Sequence, residues 1–393
     1  MVSRADRSRF AEWWWTVDKI LLAGLVALMF GGVVLSLAGS PAVAERLGYD
    51  DSFHFVKRHI FFFVPALVVM IATSFLTPRQ VRRTALIVLA IAIVLMMATL
   101  FTGVDVKGAR RWIDLAGLSL QPSEFMKPAF IVVIAWLFAE NARRSDIPGN
   151  IFALILLAIV AALLIAEPDF GQTMLISIAW GALFFMAGVP WIWIAGLAAA
   201  AGGGIFAAYA ALPHVAGRID RFITPGSGDT FQVDTAVESI LRGGWLGRGP
   251  GEGTVKRILP DAHTDFIFAV AAEEFGIIVC IGLVAVFAMV VLRGLSRTLK
   301  TEDPFMRLSA AGLIVLFGVQ SLINMAVNLR LMPAKGMTLP FISYGGSSMI
   351  AVAFGMGLLL ALTRKRPETL RITQRSGSDV AADIPMRTDP SPA

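Results

Sequence analysis

Residues 257–276 read Arg-Ile-Leu-Pro-Asp-Ala-His-Thr-Asp-Phe-Ile-Phe-Ala-Val-Ala-Ala-Glu-Glu-Phe-Gly. The stretch leaves a polar, glycine-rich loop and enters an apolar helix. Asp261, His263, Thr264 and Asp265 stand at the junction, and Glu273 and Glu274 follow two turns later. At about 1.5 Å rise per residue, Glu273 falls roughly 12 Å along the helix from Asp265. A charged side chain at the centre of a bilayer costs about 2.5–3.5 kcal/mol on insertion scales. If this helix crosses a membrane, its acids are expected to face a polar cavity, pair with cations or carry a proton. Adjacent helical positions differ by about 100°, so one of Glu273 and Glu274 is expected to face the bundle interior. Thr264 and Asp265 also have the residue types of an N-cap and a first-turn acid.

The surrounding composition makes the membrane premise firm. Of 393 residues, 56% are hydrophobic and 16% charged, where a soluble protein carries about 25% charged residues. Mean hydropathy is +0.73. Apolar runs of membrane-crossing length recur along the chain, and no alternating ten-residue segments suggest a barrel. The expected fold is all-α: a polytopic membrane protein with ten transmembrane helices, at roughly 18–39, 59–76, 84–102, 122–140, 149–166, 170–187, 190–211, 265–292, 305–328 and 343–363. Residues 1–17 read as a cytoplasmic N-terminal segment, 18–366 as the membrane domain, and 367–393 as a disordered cytoplasmic tail rich in Pro, Ser and Asp. Residues 212–264, between helices 7 and 8, read as one large extracytoplasmic loop, and loops of that length are often functional.

Arginines precede the first apolar run, and Pro41-Ala42-Val43-Ala44 resembles a cleavage site. The run is nevertheless longer than the 7–15 residues of a signal-peptide core, so it is read as a retained span. Short-loop basic residues such as Arg79, Arg82, Arg83, Arg143 and Arg144 fall on the same side as both ends, which places both termini in the cytoplasm. Trp13-Trp14-Trp15 suits an interface belt. The single cysteine, Cys280, excludes an intramolecular disulfide. A net charge of +6 points to anionic lipid sooner than to nucleic acid, for which no basic tract with interleaved aromatics is present.

The polar residues gather in a few short stretches. Gly243-Gly244-Trp245-Leu246-Gly247-Arg248-Gly249-Pro250-Gly251-Glu252-Gly253 precedes Lys256 and Arg257. Its glycines allow backbone N–H groups to approach phosphate, but without a preceding strand it is no nucleotide-binding P-loop. Arg110-Arg111-Trp112-Ile113 leads to Gln121-Pro122-Ser123-Glu124 and Lys127, with Glu124 and Lys127 spaced to pair on one helix face. Glu167-Pro168-Asp169-Phe170-Gly171-Gln172 makes a tight turn between spans five and six. Asn324 is followed by Arg330-Leu331-Met332-Pro333-Ala334-Lys335-Gly336-Met337-Thr338-Leu339-Pro340-Phe341-Ile342-Ser343-Tyr344-Gly345-Gly346-Ser347-Ser348.

That last run resembles the signature of the SEDS family (shape, elongation, division and sporulation). Leu259-Pro260-Asp261-Ala262-His263-Thr264-Asp265-Phe266 is similar to the family's large extracytoplasmic loop, and the stretches around Arg111, Gln121 and Pro168 match three more family motifs. The resemblance covers about residues 17–366 and is stronger to the division branch than to the elongation branch. Arg242 and Pro250-Gly251-Glu252 depart from the family pattern.

The resemblance implies a peptidoglycan glycosyltransferase that polymerises lipid II into the nascent glycan strand, by inverting transfer with release of undecaprenyl diphosphate. It implies Asp265 as the catalytic carboxylate. Arg111 and Lys335, with Lys256, Arg257 and His263, are the candidate diphosphate and lipid II ligands. Trp112, Gln121, Glu124, Lys127, Asp169, Glu273 and Ser343 are candidates for support. A divalent cation, magnesium or manganese, bridging Asp265 to phosphate oxygens is the candidate cofactor. The implied partners are a class B penicillin-binding protein and divisome activators, at the division septum of the bacterial inner membrane. The rival readings are a lipid II flippase and a scaffold that recruits a transpeptidase.

Overall fold

The computed structural model describes residues 8–106, 109–115, 118–144, 146–211, 215–217, 220, 231–333 and 336–365. Lys335 and the tail expected at 367–393 lie outside the described residues. The chain divides into two units. In one, helix α1 (Arg9–Thr16) is capped by Ser8, whose hydroxyl accepts from Ala11 N–H at 3.2 Å. There Arg364 donates to Thr16 Oγ1 at 2.9 Å and faces Glu12 at 3.7 Å.

The other unit, Lys19–Thr363, is the helical bundle. Its elements are α2 (Lys19–Arg46), α3 (His54–Ser74), α4 (Pro78–Thr102), α5 (Pro122–Arg143), α6 (Gly149–Ala166), α7 (Phe170–Met186), α8 (Trp191–Ala211), α9 (Phe231–Gly243), α10 (Ile267–Thr298), α11 (Pro304–Asn328) and α12 (Gly346–Leu362). Among the described residues, eight helices are long and apolar enough to cross a membrane, and α7 and α12 are shorter apolar helices. Large apolar side chains such as Phe101, Ile192, Leu292 and Leu322 are exposed around the bundle, as a lipid-facing surface requires. Helices α5 and α11 form the centre, with 67% and 78% of their most apolar windows buried.

Local chemistry explains the helix starts. Thr77 and Gln80 form a capping box on α4, with Gln80 Oε1 accepting from Thr77 N–H at 2.9 Å, and Pro78 fills the first turn. Asp303 caps α11 through Met306 N–H at 2.9 Å. Helix α2 runs to Arg46, further than position 39, and the Pro41-Ala42-Val43-Ala44 stretch lies inside it.

Three features depart from the sequence expectations. A small antiparallel sheet, β1 (Val104–Val106), β2 (Ala109–Leu115) and β3 (Leu118–Leu120), joins α4 to α5 in order β1-β2-β3. Two of the three strands are only three residues long, Val-Asp-Val and Leu-Ser-Leu, too short to stand out beside the helical spans. Within 212–264 the described residues include α9 and a single 3₁₀ turn at Val255–Arg257, so that segment is not wholly loop. Helix α10 breaks at Gly276, where φ is 81° and ψ 173°. Only glycine adopts that conformation readily. The apolar run after the break is long enough by itself to cross a bilayer, and Glu273 and Glu274 belong to the segment before it.

Candidate functional site

Asp265 lies just before α10, in a backbone held from three sides. Helix α11 supplies two amides: Asn324 Nδ2 and Asn328 Nδ2 donate to the Asp265 carbonyl at 2.9 and 3.0 Å. Ser343 Oγ donates to the Thr264 carbonyl at 2.5 Å, and Tyr344 N–H to the His263 carbonyl at 2.9 Å. Neither Thr264 nor Asp265 caps α10. Its N-cap is Phe266, without a side-chain cap bond, and Asn328 Oδ1 takes the Ala269 N–H at 3.1 Å from outside the helix. Thr264 instead bonds back to the Asp261 carbonyl at 3.2 Å.

The 336–344 loop comes close to this carboxylate at Gly336. A Cβ built on Gly336, which adopts φ 64°, would stand 3.7 Å from Asp265 Oδ2. Lys335 itself is outside the described residues, but its neighbour is against the acid. Asn324 Nδ2 also binds the Met337 carbonyl at 2.6 Å, and Ser343 Oγ accepts from Leu339 N–H at 2.7 Å. One asparagine therefore ties the two loops together.

A buried polar belt runs from this loop into the bundle. Gln320 Nε2 donates to the Thr338 carbonyl at 3.1 Å, and its Oε1 accepts from Lys127 Nζ at 3.2 Å. Lys127 pairs with Glu124 at 2.8 Å, both nearly fully buried. Glu124 also accepts from Gln172 Nε2 at 3.0 Å and Ser348 Oγ at 2.9 Å. The Gln121 N–H reaches Ser347 Oγ at 3.3 Å. A cavity of about 20 Å³, lined by Glu124, Lys127, Gln320 and apolar side chains of α11 and α12, opens on the belt.

The far end of the belt is the α6–α7 turn. Asp169 accepts from Gln172 N–H at 3.2 Å and faces Arg111 Nη1 at 3.5 Å. Arg111 Nε donates to the Glu167 carbonyl at 2.9 Å, and Nη2 to the Pro168 carbonyl. All three nitrogens of Arg111 therefore engage the turn, fastening β2 to it. Trp112 sits half-buried in the same strand, opposite Val104. Burial pushes the Glu167 carboxyl up to about 7, against the Thr99 hydroxyl that donates to it at 2.7 Å. Glu167 Oε2 has no hydrogen-bond partner among the described residues. Burial also raises the Asp169 carboxyl, against the pull of Arg111.

Glu273 and Glu274 do something else. Both are buried. Glu273 accepts from the N–H groups of Thr254, Val255 and Lys256 at 2.7, 2.8 and 2.9 Å, and from Ser239 Oγ at 3.0 Å. Glu274 pairs with Lys256 Nζ and accepts from Gly251 N–H at 3.2 Å. Lys256 also donates to the Ala38 carbonyl at 3.0 Å and is 3% exposed. This corrects the expectation that Lys256 is offered to a diphosphate: its ammonium is consumed inside the protein. It also corrects the expected division of the two glutamates, since both turn inward to anchor the 251–256 loop. Arg257, by contrast, is exposed, and His263 packs between Phe55 and Tyr344.

Among the described residues, no three His, Cys, Asp or Glu side chains gather as a metal-holding group. That donor set does not by itself hold a resident ion. Asn328 and Gln320 lie outside the motifs quoted from the sequence, and Ser348 closes the last of them. Gln320, Asn324 and Asn328 recur every four positions, so a polar stripe on one face of an apolar helix was the available signal.

The comparisons agree with this architecture. The family model described as FtsW/RodA/SpoVE, cell cycle protein, matches residues 19–368. A "probable peptidoglycan glycosyltransferase FtsW" of Caulobacter vibrioides is 52% identical, covering 93% of this chain and 94% of its own. One of Geobacter metallireducens is 34% identical, covering 90% and 96%. Among solved structures, a chain of a peptidoglycan synthase complex that coordinates polymerization and crosslinking superposes with TM-score 0.75 at 26% identity, covering 89% of this chain and 98% of that one. The rod-shape-determining protein RodA of Thermus thermophilus gives TM-score 0.65 at 26% identity, covering 89% and 97%. The chain belongs to the FtsW/RodA/SpoVE family of multi-pass membrane proteins.

Proposed function

We propose that this chain is a peptidoglycan glycosyltransferase that polymerises lipid II outside the cytoplasmic membrane during septal wall synthesis. The observation that carries the reading is the fixed backbone at Asp265, its carbonyl held by Asn324 and Asn328 and the preceding Thr264 carbonyl by Ser343, with Gly336 close to its carboxylate. The relatives' name, peptidoglycan glycosyltransferase FtsW, supports the activity and the division role.

The reaction needs a base for the acceptor sugar's 4-hydroxyl while that oxygen attacks the donor's anomeric carbon. Asp265 takes this role. The bond to undecaprenyl diphosphate breaks on the opposite face, so configuration inverts. A carboxylate with an ordinary pKa near 4 is a weak base at neutral pH. Most of the rate must therefore come from positioning and from cations on the leaving group. Lys335, beside Gly336, and the exposed Arg257 are assigned to the diphosphate. Arg111, spent on the α6–α7 turn, positions that turn and its acid. Glu124 and Lys127, with Gln121, Trp112, Asp169 and Glu273, hold the elements that carry the site. A divalent cation, if used, would arrive with the phosphate oxygens, which are its preferred hard ligands.

The eight long helices together with α7 and α12 make ten crossings. At 17 residues each, the two short helices reach the lower end of spanning length, about 17–25 residues. An even number returns both ends to one side, and the short-loop arginines put that side in the cytoplasm. The synthase complex that this chain superposes on supports a crosslinking penicillin-binding protein as partner.

The buried belt of Glu124, Lys127, Gln172 and Gln320 also suits a lipid II flippase. Detergent separates the two. Purified protein with its transpeptidase partner should make glycan polymer from lipid II in micelles, where nothing can be flipped. Absence of polymer under conditions that keep the complex intact would favour the flippase.

A further inference from the structure

Five rings make a continuous path from the Asp265 loop to the protein surface. Tyr49 stacks on His54, with centroids 4.1 Å apart and planes 13° from parallel. His54 meets the edge of Phe55 at 5.2 Å. Phe55 meets His263 at 4.4 Å and Tyr344 at 5.3 Å, and those two lie 5.4 Å apart. The inner end is part of the site, because His263 precedes Asp265 by two residues and is bonded through its carbonyl to Tyr344. The outer end is open: Tyr49 is 45% exposed and Phe53 beside it 49%. Nothing in the transfer chemistry above uses the 47–55 segment.

Aromatic side chains near a membrane surface commonly form an interface belt. Two features distinguish this path. It carries polar groups: two of its five rings are imidazoles, the Tyr344 hydroxyl is bonded to Arg58, and the Asp51–Lys57 pair at 2.8 Å lies on the rim. A belt ring also turns its polar atom to water, whereas His54 Nε2 is enclosed and has no hydrogen-bond partner among the described residues. Flat apolar faces edged by hydrogen-bonding groups match a pyranose, whose axial C–H face lies on an aromatic ring while its hydroxyl and acetamido groups seek partners at the edge. A polyprenyl tail would call for an apolar groove without those groups.

We propose that this path binds the sugar rings of a β-linked N-acetylated glycan, with Tyr49 as its outermost stacking face, and leads the strand to or from Asp265. The inference rests on the glycosyl-transfer reading for its direction, but the binding it claims is measurable without turnover.

The probe is β-1,4-linked N-acetylglucosamine tetramer, which lacks both diphosphate and lipid, titrated into the full-length protein in nanodiscs. Tyr49→Ala should weaken tetramer binding at least tenfold and shorten the polymer made from lipid II. Tyr49→Trp should preserve both. Asp265→Asn should bind tetramer like the wild type while making no polymer. If the wild type binds tetramer through Tyr49 but makes no polymer from lipid II, the transfer reading falls and the glycan path stands. Equal tetramer affinity in the wild type and Tyr49→Ala, or no wild-type binding at millimolar tetramer, overturns the path. So does a Tyr49→Ala defect confined to vesicle partitioning, which returns the ring to the lipid belt.

Discussion

Asn328 holds Asp265 by its backbone and caps the helix that follows it. Its Nδ2 donates to the Asp265 carbonyl at 3.0 Å, and its Oδ1 accepts the Ala269 N–H at 3.1 Å. The residue is fully buried, so no water replaces either bond when the amide is removed. Asn328→Leu should lower stability by about 1–3 kcal/mol for the polar groups left behind. A shift of about 1 Å in the carboxylate should cost on the order of 100-fold in turnover. The check is thermal unfolding in detergent beside polymerisation kinetics, with kcat falling more than KM rises.

Lys256 and Glu274 form the second buried clasp, at the other end of the same loop system. Removing one partner leaves an uncompensated buried charge, a loss of about 3–5 kcal/mol. Lys256→Met and Glu274→Met should each destabilise the protein strongly, and the double variant should recover much of the loss. A double variant that folds should keep its affinity for lipid II. Folding with affinity lost would instead restore Lys256 to the diphosphate.

Glu167 makes stability depend on pH. Its folded pKa is about 7, against an ordinary value of 4.5. Between these values the native state binds more protons than the unfolded chain, so stability falls as pH rises. The contribution is fully present below pH 4.5 and is lost as pH climbs through about 7. Glu167→Gln keeps the shape of the neutral acid without the charge. It should flatten the decline in melting temperature between pH 5 and about 8 and leave the protein more stable than the wild type above neutrality. Parallel curves for the two proteins would contradict the assignment.

Gly276 is the break in α10, and its backbone conformation excludes a side chain twice over. Its φ of 81° strains any other residue, and a Cβ would run into the Trp245 carbonyl oxygen. Gly276→Ala should cost at least about 1–3 kcal/mol and displace the 243–257 loop. Gly282→Ala, where a Cβ meets nothing within 4 Å, should be tolerated. Limited proteolysis of the loop in both variants separates the two.

Reading the sequence worked where one interaction dominates. Uninterrupted apolar runs fixed the helices, because lipid leaves the backbone no other partner than itself. The order of the polar motifs identified the family. It did less well where a polar residue has two physically sensible uses. Lys256 and Arg257 are adjacent cations, yet one is buried against Glu274 and the other exposed. Only the fold of the glycine-rich loop decides between them. Arg111 likewise looked like a phosphate ligand, but the carbonyls that engage it belong to residues 56 and 57 positions away. The break at Gly276 was illegible because a glycine within an apolar run is equally at home in an unbroken helix.

The central claim is that Asp265 does the chemistry and the rest of the loop system places it. The most direct measurement is polymerisation of lipid II by purified Asp265→Asn with its transpeptidase partner, alongside thermal unfolding and lipid II binding. The substitution is isosteric and leaves in place the backbone bonds to Asn324 and Asn328 and the Ser343 bond to the Thr264 carbonyl. The account predicts normal folding, retained lipid II binding and no glycan product. Polymer formed at close to the wild-type rate would contradict it.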